Sequence, residues 1–144
     1  MNSTRTPADV MRLYVEEVVA RGRIELLDEI AADDVVDHTA VAAGWGTGRQ
    51  GLVKHVRTAC ASLGNLRATV ERVIASSDEV VGVWRARAIH IGPLFGIPAT
   101  HKPLDWRNAS IFRVRDGRIT DYTGVWGSLD AVAQMGVPIK LPSQ

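Results

Sequence analysis

Two alternating runs joined by Arg115-Asp116-Gly117-Arg118 constrain this chain more than any other feature. Leu104 to Val114 and Ile119 to Val125 flank an Asp-Gly pair, which tolerates the left-handed backbone of a tight antiparallel hairpin. Upstream, Leu66 to Ala75 and Val80 to Ile91 alternate around Ser76-Ser77-Asp78-Glu79, so a second hairpin precedes the first. A Gly- and Pro-rich loop from Gly92 to Pro103 separates them. Consecutive hairpins of this kind build an antiparallel sheet, not an alternating parallel one.

The first half reads as helix. Thr6-Pro7-Ala8-Asp9 has a cap, a first-turn proline and capping-box spacing, and Val10, Leu13, Tyr14 and Val18 follow at helical spacing up to Gly22. A short helix is expected from about Arg23 to Ala31, then a brief apolar stretch, Val35-Val36-Asp37-His38. A third helix, roughly Gln50 to Leu63, carries Leu52, Val53, Val56, Ala59 and Cys60 on one face, and Leu129 to Met135 forms a last helical turn. The fold class is therefore α+β, a single domain over residues 1–144, a length that supports one sizeable core.

Composition excludes several classes. Seventeen basic and sixteen acidic residues are interleaved, for a net charge of +1, without the concentrated basic face of a nucleic-acid binder. One cysteine, Cys60, excludes a disulfide scaffold. No apolar stretch reaches the ~20 residues of a membrane span, the polar start is not expected to act as a secretory signal, and the expected location is cytoplasmic. The histidines at 38, 55, 90 and 101 lack metal-ligand spacing, and no metal is expected. Gly44-Trp45-Gly46-Thr47-Gly48 lacks the lysine of a nucleotide loop.

Val36-Asp37-His38, His90-Ile91-Gly92-Pro93-Leu94-Phe95-Gly96-Ile97-Pro98-Ala99-Thr100, Ile111 to Ile119 with its Asp-Gly turn, and Gln134-Met135-Gly136 occur in this order. From Tyr14 to Gly136 the chain resembles the SnoaL-like polyketide cyclases of the nuclear transport factor 2-like superfamily. The resemblance implies a cone-shaped α+β barrel, its curved antiparallel sheet closed by N-terminal helices around a deep pocket. It further implies a hydrophobic polyketide-like substrate, ring closure without a cofactor, a role in natural-product (antibiotic) biosynthesis, and a homodimer formed through the outer sheet face. Gly127, His101 and Tyr122-Thr123 depart from the family pattern, which usually has aspartate, glycine and His-Trp there.

The expected catalytic residues are Asp121, His38, Tyr14 and Asp105. Asp121 matches the family's acidic residue after the hairpin and is expected to share a strand face with Ile119 and Thr123. A carboxylate on a partly apolar face suits general acid–base work; the alternative is an ion pair with Arg113 or Arg118. His38 and Asp37 border the implied pocket mouth, where an imidazole can shuttle a proton or merely tie down a strand end. Tyr14 lies on the apolar face of the first helix, as a hydroxyl donor or as plain packing.

Asp105 and Arg107, two apart on one strand face, either polarise a substrate or form a surface pair. With Asp121 they resemble the Asp–Arg–Asp arrangement of superfamily epoxide hydrolases. His90 shares a face with Trp84, Ala86 and Ala88, lining a pocket or satisfied in the core. Substrate contacts are expected from Trp84, His90, Phe95, Arg107, Trp126 and Asp37, with Trp45 and Trp106 on loops over the entrance. The leading function is a cofactor-independent cyclase of aldol, conjugate-addition or Diels–Alder type. Epoxide hydrolysis, hydroxylation or non-catalytic binding of a hydrophobic ligand are the alternatives.

Overall fold

The computed structural model describes residues 4–139. Helix α1 (Pro7–Leu13) opens with the expected capping box: Thr6 accepts from the Asp9 backbone N–H, and Asp9 accepts from that of Thr6. It continues directly into a π-helical segment, Tyr14–Val19, whose wider turn is rare and recurs at functional sites. A 3₁₀ turn (Ile24–Leu26) leads to α2 (Leu27–Ile30), strand β1 (Ala31–Asp37), α3 (His38–Ala42) and α4 (Gly48–Ala61). Strands β2 (Leu63–Ala75), β3 (Glu79–His90), β4 (Pro103–Arg115) and β5 (Arg118–Trp126) follow, and α5 (Ser128–Gln134) is the last element of the described residues.

The five strands form one sheet in the order β1-β5-β4-β3-β2. The four long strands are antiparallel, but β1 lies parallel to β5, with Val36 opposite Asp121 and Asp37 opposite Tyr122. The sheet is therefore mixed. The second expected helix ends at Ile30, and Ala31 already belongs to β1. Asp33 and Asp34 interrupt the apolar alternation of this strand and lie exposed at a sheet edge, where polar side chains are tolerated.

One face of the sheet is apolar and covered by α1, the π-helical segment and α4. Val10, Met11, Val15, Val18, Leu104, Phe112 and Ile119 are fully or nearly fully buried there. Irregular registers between Gly64 and Arg67, between Val70 and Arg72, and between Arg113 and Val114 curve the strands around this core. The outer face carries Arg85, Arg87, Asp105, Arg107 and Glu71, tied in ion pairs. No helix among the described residues is long and apolar enough to cross a membrane.

Candidate active site

The cavity lies between α4 and the inner face of the sheet. An inner chamber holds about 30 Å³ of free volume, walled by Tyr14, Trp84, Trp106, Asn108, Tyr122 and Trp126 with apolar residues of α4 and β2. Beside it is a wider mouth of about 490 Å³, bordered by Trp45, Phe95, Ser62 and Ser128. His55, Ala59 and Trp126 belong to both, so His55 stands where the mouth meets the chamber.

His55 is held by Asp37. The carboxylate Oδ2 lies 2.7 Å from His55 Nδ1, and both side chains are almost inaccessible, 4% and 1% exposed. Asp37 also caps α3, its Oδ1 accepting from the backbone N–H of Thr39 (3.0 Å) and Ala40 (3.2 Å). With its carboxylate serving as acceptor on both oxygens, the His55 contact is an Nδ1–H donation. The free lone pair then sits on Nε2, which has no hydrogen-bond partner among the described residues. A carboxylate that fixes the tautomer and steadies the cation is the arrangement that makes an imidazole an effective base.

Aromatic rings complete the surroundings. The His55 ring lies 5.4 Å from Trp45, 5.7 Å from Tyr122 and 6.4 Å from Trp126, nearly parallel to the last. Trp45 reaches this position because Gly51 of α4 has no side chain: a Cβ there would come within 2.6 Å of the Gly46 carbonyl oxygen. Phe95, at φ +52° and 46% exposed, stands edge-on to Trp126 at 5.8 Å. Tyr14 packs edge-on against Phe112 and beside Tyr122. Burial, together with the adjacent Tyr122 phenol, pushes the Tyr14 hydroxyl well above its usual range.

The expected residues divide between the two sides of the sheet. Tyr14, Trp84 and Trp126 line the chamber and Phe95 and Trp45 the mouth, whereas Asp37, expected as a substrate contact, lines neither and reaches the site only through His55. Trp106 is a correction: β4 begins at Pro103, so this residue is a 3%-exposed wall of the chamber and not part of an entrance loop. His90 is fully buried behind the 92–102 loop and tied to Thr100 through Nδ1, without lining the cavity.

Asp121 does not share a face with Ile119. The register slips between Arg113/Asp121 and Val114/Ile119, leaving Thr120 as the extra residue. Ile119 and Tyr122 point inward and Asp121 turns outward to meet His38 Nε2 at 3.0 Å, both side chains well exposed. Asp105 and Arg107 do share a face, but it is the outer one. Arg85 grips Asp105 through two contacts (2.7 and 2.5 Å), with Arg87 at 3.4 Å, and Arg107 pairs with Glu71 at 2.7 Å. These arginines hold the Asp105 carboxyl below its usual range. Asp105, Arg107 and Asp121 thus have separate partners and do not meet around the cavity.

No sequence motif marks His55, Asn108 or Tyr122 as site residues. His55 was legible in principle, since it falls three residues after Leu52 and four before Ala59 on the buried stripe of α4. Among the described residues no three His, Cys, Asp or Glu side chains converge as metal ligands.

Comparison with known proteins agrees with this architecture. The family model for SnoaL-like polyketide cyclases matches residues 8–135. The chain belongs to the SnoaL-like polyketide cyclase family. Among solved structures, IdmH from Streptomyces antibioticus, proposed as a polyketide cyclase, is 29% identical, with 92% of this chain and 100% of that one covered at a TM-score of 0.77. TsrD from Streptomyces laurentii shares the fold at 18% identity and a TM-score of 0.79, covering 90% and 93% of the two chains. AclR from Streptomyces galilaeus, proposed as a hydroxylase, shares it at 17% identity and a TM-score of 0.72, covering 95% and 91%. No curated protein matches the chain. Within this SnoaL-like fold the cone wall is the curved sheet, and the mouth is framed by the 92–102 loop and the glycine-rich segment around Trp45.

Proposed function

We propose that this SnoaL-like protein closes a ring in a polyketide-type biosynthetic intermediate without a cofactor, with His55 as general base and acid and Asp37 as the residue that positions it. The observation that carries this reading is the buried Asp37–His55 pair, whose Nε2 is left without a protein partner at an aromatic cavity. In an aldol-type closure, Nε2 takes a proton from a carbon flanked by carbonyls. The resulting enolate carbon attacks a second carbonyl, forming the C–C bond, and the imidazolium returns its proton to the new alkoxide. Asp37 stabilises the imidazolium while it exists. A conjugate addition uses the same proton movements. In a pericyclic closure, the aromatic walls hold the chain in a reactive shape and supply much of the rate.

The outward placement of Asp105, Arg107 and Asp121 gives the epoxide-opening reading no shared site. The experiment is an accurate-mass comparison of metabolites in a producing host carrying the wild type or His55→Gln. Accumulation of an isomer of the product, equal in mass and less cyclised, supports the proposal. A species differing by one water or one oxygen replaces ring closure with dehydration, hydrolysis or hydroxylation. An unchanged profile favours a ligand-binding role. Dimerisation through the outer sheet face belongs to the same proposal; light scattering at twice the monomer mass supports it, and the monomer mass contradicts it.

A further inference from the structure

Two side-chain nitrogens that solvent does not reach have no partner among the described residues, His90 Nε2 and Asn108 Nδ2, whereas His55 Nε2 opens to the cavity. His90 does not line the cavity, whereas Asn108, 4% exposed, forms part of the chamber wall. The orientation of the Asn108 amide is fixed by two donors. Its Oδ1 accepts from Trp106 Nε1 at 3.0 Å and from the Gly127 backbone N–H at 3.4 Å. Neither can accept, so the amide cannot be reversed, and Nδ2 keeps its hydrogens for another group. A buried donor left this way is costly unless something in the cavity receives it.

Trp126 lies directly across from Asn108 in the sheet. Its indole borders both the chamber and the mouth, so its Nε1–H is open to the cavity rather than buried like Asn108 Nδ2. A Cβ on Gly124 would lie 3.0 Å from Tyr122 Oη and 3.6 Å from Trp126 Nε1, so the phenol and the indole N–H approach the same bare stretch of backbone. The chamber holds about 30 Å³, the size of one small oxygen-bearing group. Its floor presents donors, and no carboxylate lines it.

We propose that the chamber seats one carbonyl oxygen of the substrate, which accepts from Asn108 Nδ2–H and Trp126 Nε1–H while the carbon skeleton lies in the mouth. This deepens the cyclase reading and rests on it. When His55 removes a proton from the neighbouring carbon, negative charge develops on that oxygen, and fixed donors in an aromatic-walled chamber stabilise it more strongly than they do the neutral ketone. A water molecule could use the same donors, and the experiment separates the two occupants.

The probes are 2-acetylnaphthalene, labelled with carbon-13 at its carbonyl, and 2-isopropenylnaphthalene, which replaces C=O by C=CH₂ in nearly the same shape. Binding is followed by quenching of tryptophan fluorescence, and the bound carbonyl by isotope-edited infrared spectroscopy. The expected result is about tenfold tighter binding of the ketone than of the alkene, with its stretching band shifted to lower frequency. Asn108→Asp, assayed at a pH high enough to ionise its carboxyl, keeps the acceptor for Trp106 and Gly127 but removes the donor. It should weaken ketone binding about tenfold, move the band back and leave alkene binding unchanged. Trp126→Phe removes a nitrogen with no protein partner and should have a smaller effect in the same direction, which preserves the test if the Asn108 variant fails to fold.

Equal binding of the two probes with an unshifted band overturns the carbonyl seat and assigns the donors to water, leaving the cyclase reading intact. Failure of the wild type to bind either probe overturns the seat and the substrate-cavity reading together.

Discussion

Asp37 Oδ2 and His55 Nδ1 lie 2.7 Å apart, joining the end of the parallel edge strand to the middle of α4. The contact ties the edge of the cone to the helix over its mouth and leaves one imidazole nitrogen facing the cavity. Asp37→Asn tests whether the pair sets the tautomer. Asparagine can still cap α3 through its oxygen, but its NH₂ turned toward Nδ1 favours the Nε2–H ring. Nitrogen-15 spectra should show His55 changing from the Nδ1–H to the Nε2–H form, and turnover should fall by about 10²–10⁴-fold. An unchanged tautomer with unchanged turnover contradicts the assignment.

The family resemblance leads to an expected aspartate where this chain has Gly127, and the structure explains why one cannot simply be introduced. A Cβ at this position would collide with the backbone carbonyl oxygen of Arg107, which accepts from the Gly127 N–H at 2.9 Å. Gly127→Asp should destabilise the fold by about 1–3 kcal/mol, the usual cost of overpacking, read as a lower urea midpoint. Wild-type stability in this variant would mean that β5 and α5 meet differently.

Alkaline pH should weaken the fold through its buried phenols. Burial raises the pKa of both Tyr14 and Tyr122 above the ordinary 10.0, Tyr14 strongly. Above pH 10.0 the unfolded chain therefore releases protons that the folded chain keeps. The unfolded state then binds fewer protons, and stability falls as pH rises. Urea midpoints measured on both sides of that value should decline for the wild type and less steeply for Tyr14→Phe. Parallel declines would place this pH dependence elsewhere.

Phe95 reaches Trp126 from a loop and is half exposed. Phe95→Ala should cost under about 1 kcal/mol, because a partly exposed ring removes little buried surface. It should nevertheless widen the mouth and weaken binding of 2-acetylnaphthalene several-fold. A large loss of stability would show that the loop is part of the core.

Much of the fold was legible because it rests on local rules. The Thr6–Asp9 box, the Asp116-Gly117 turn and the alternation of β3 and β4 each state their geometry within a few residues. What escaped depends on partners distant in sequence or on one extra residue. Strand β1 is stabilised by β5, more than 80 positions away, and its two exposed aspartates disguise it. The extra residue at Thr120 reverses the alternation just before Asp121, so a motif match was turned away from the cavity. Asp37 and His38 were read as neighbours at the mouth; the strand-to-helix corner between them sends Asp37 inward to His55 and His38 outward to Asp121. The Asp37 N-cap signals the corner, but nothing local tells which way each side chain leaves it.

The proposed ring closure turns on His55 moving the proton. The most direct measurement is the accurate-mass profile of a producing host whose only change is His55→Gln, with the variant's folding verified by circular dichroism. The expected result is loss of the cyclised product and accumulation of its less-cyclised isomer at identical mass. An undiminished product level from a folded variant would contradict it.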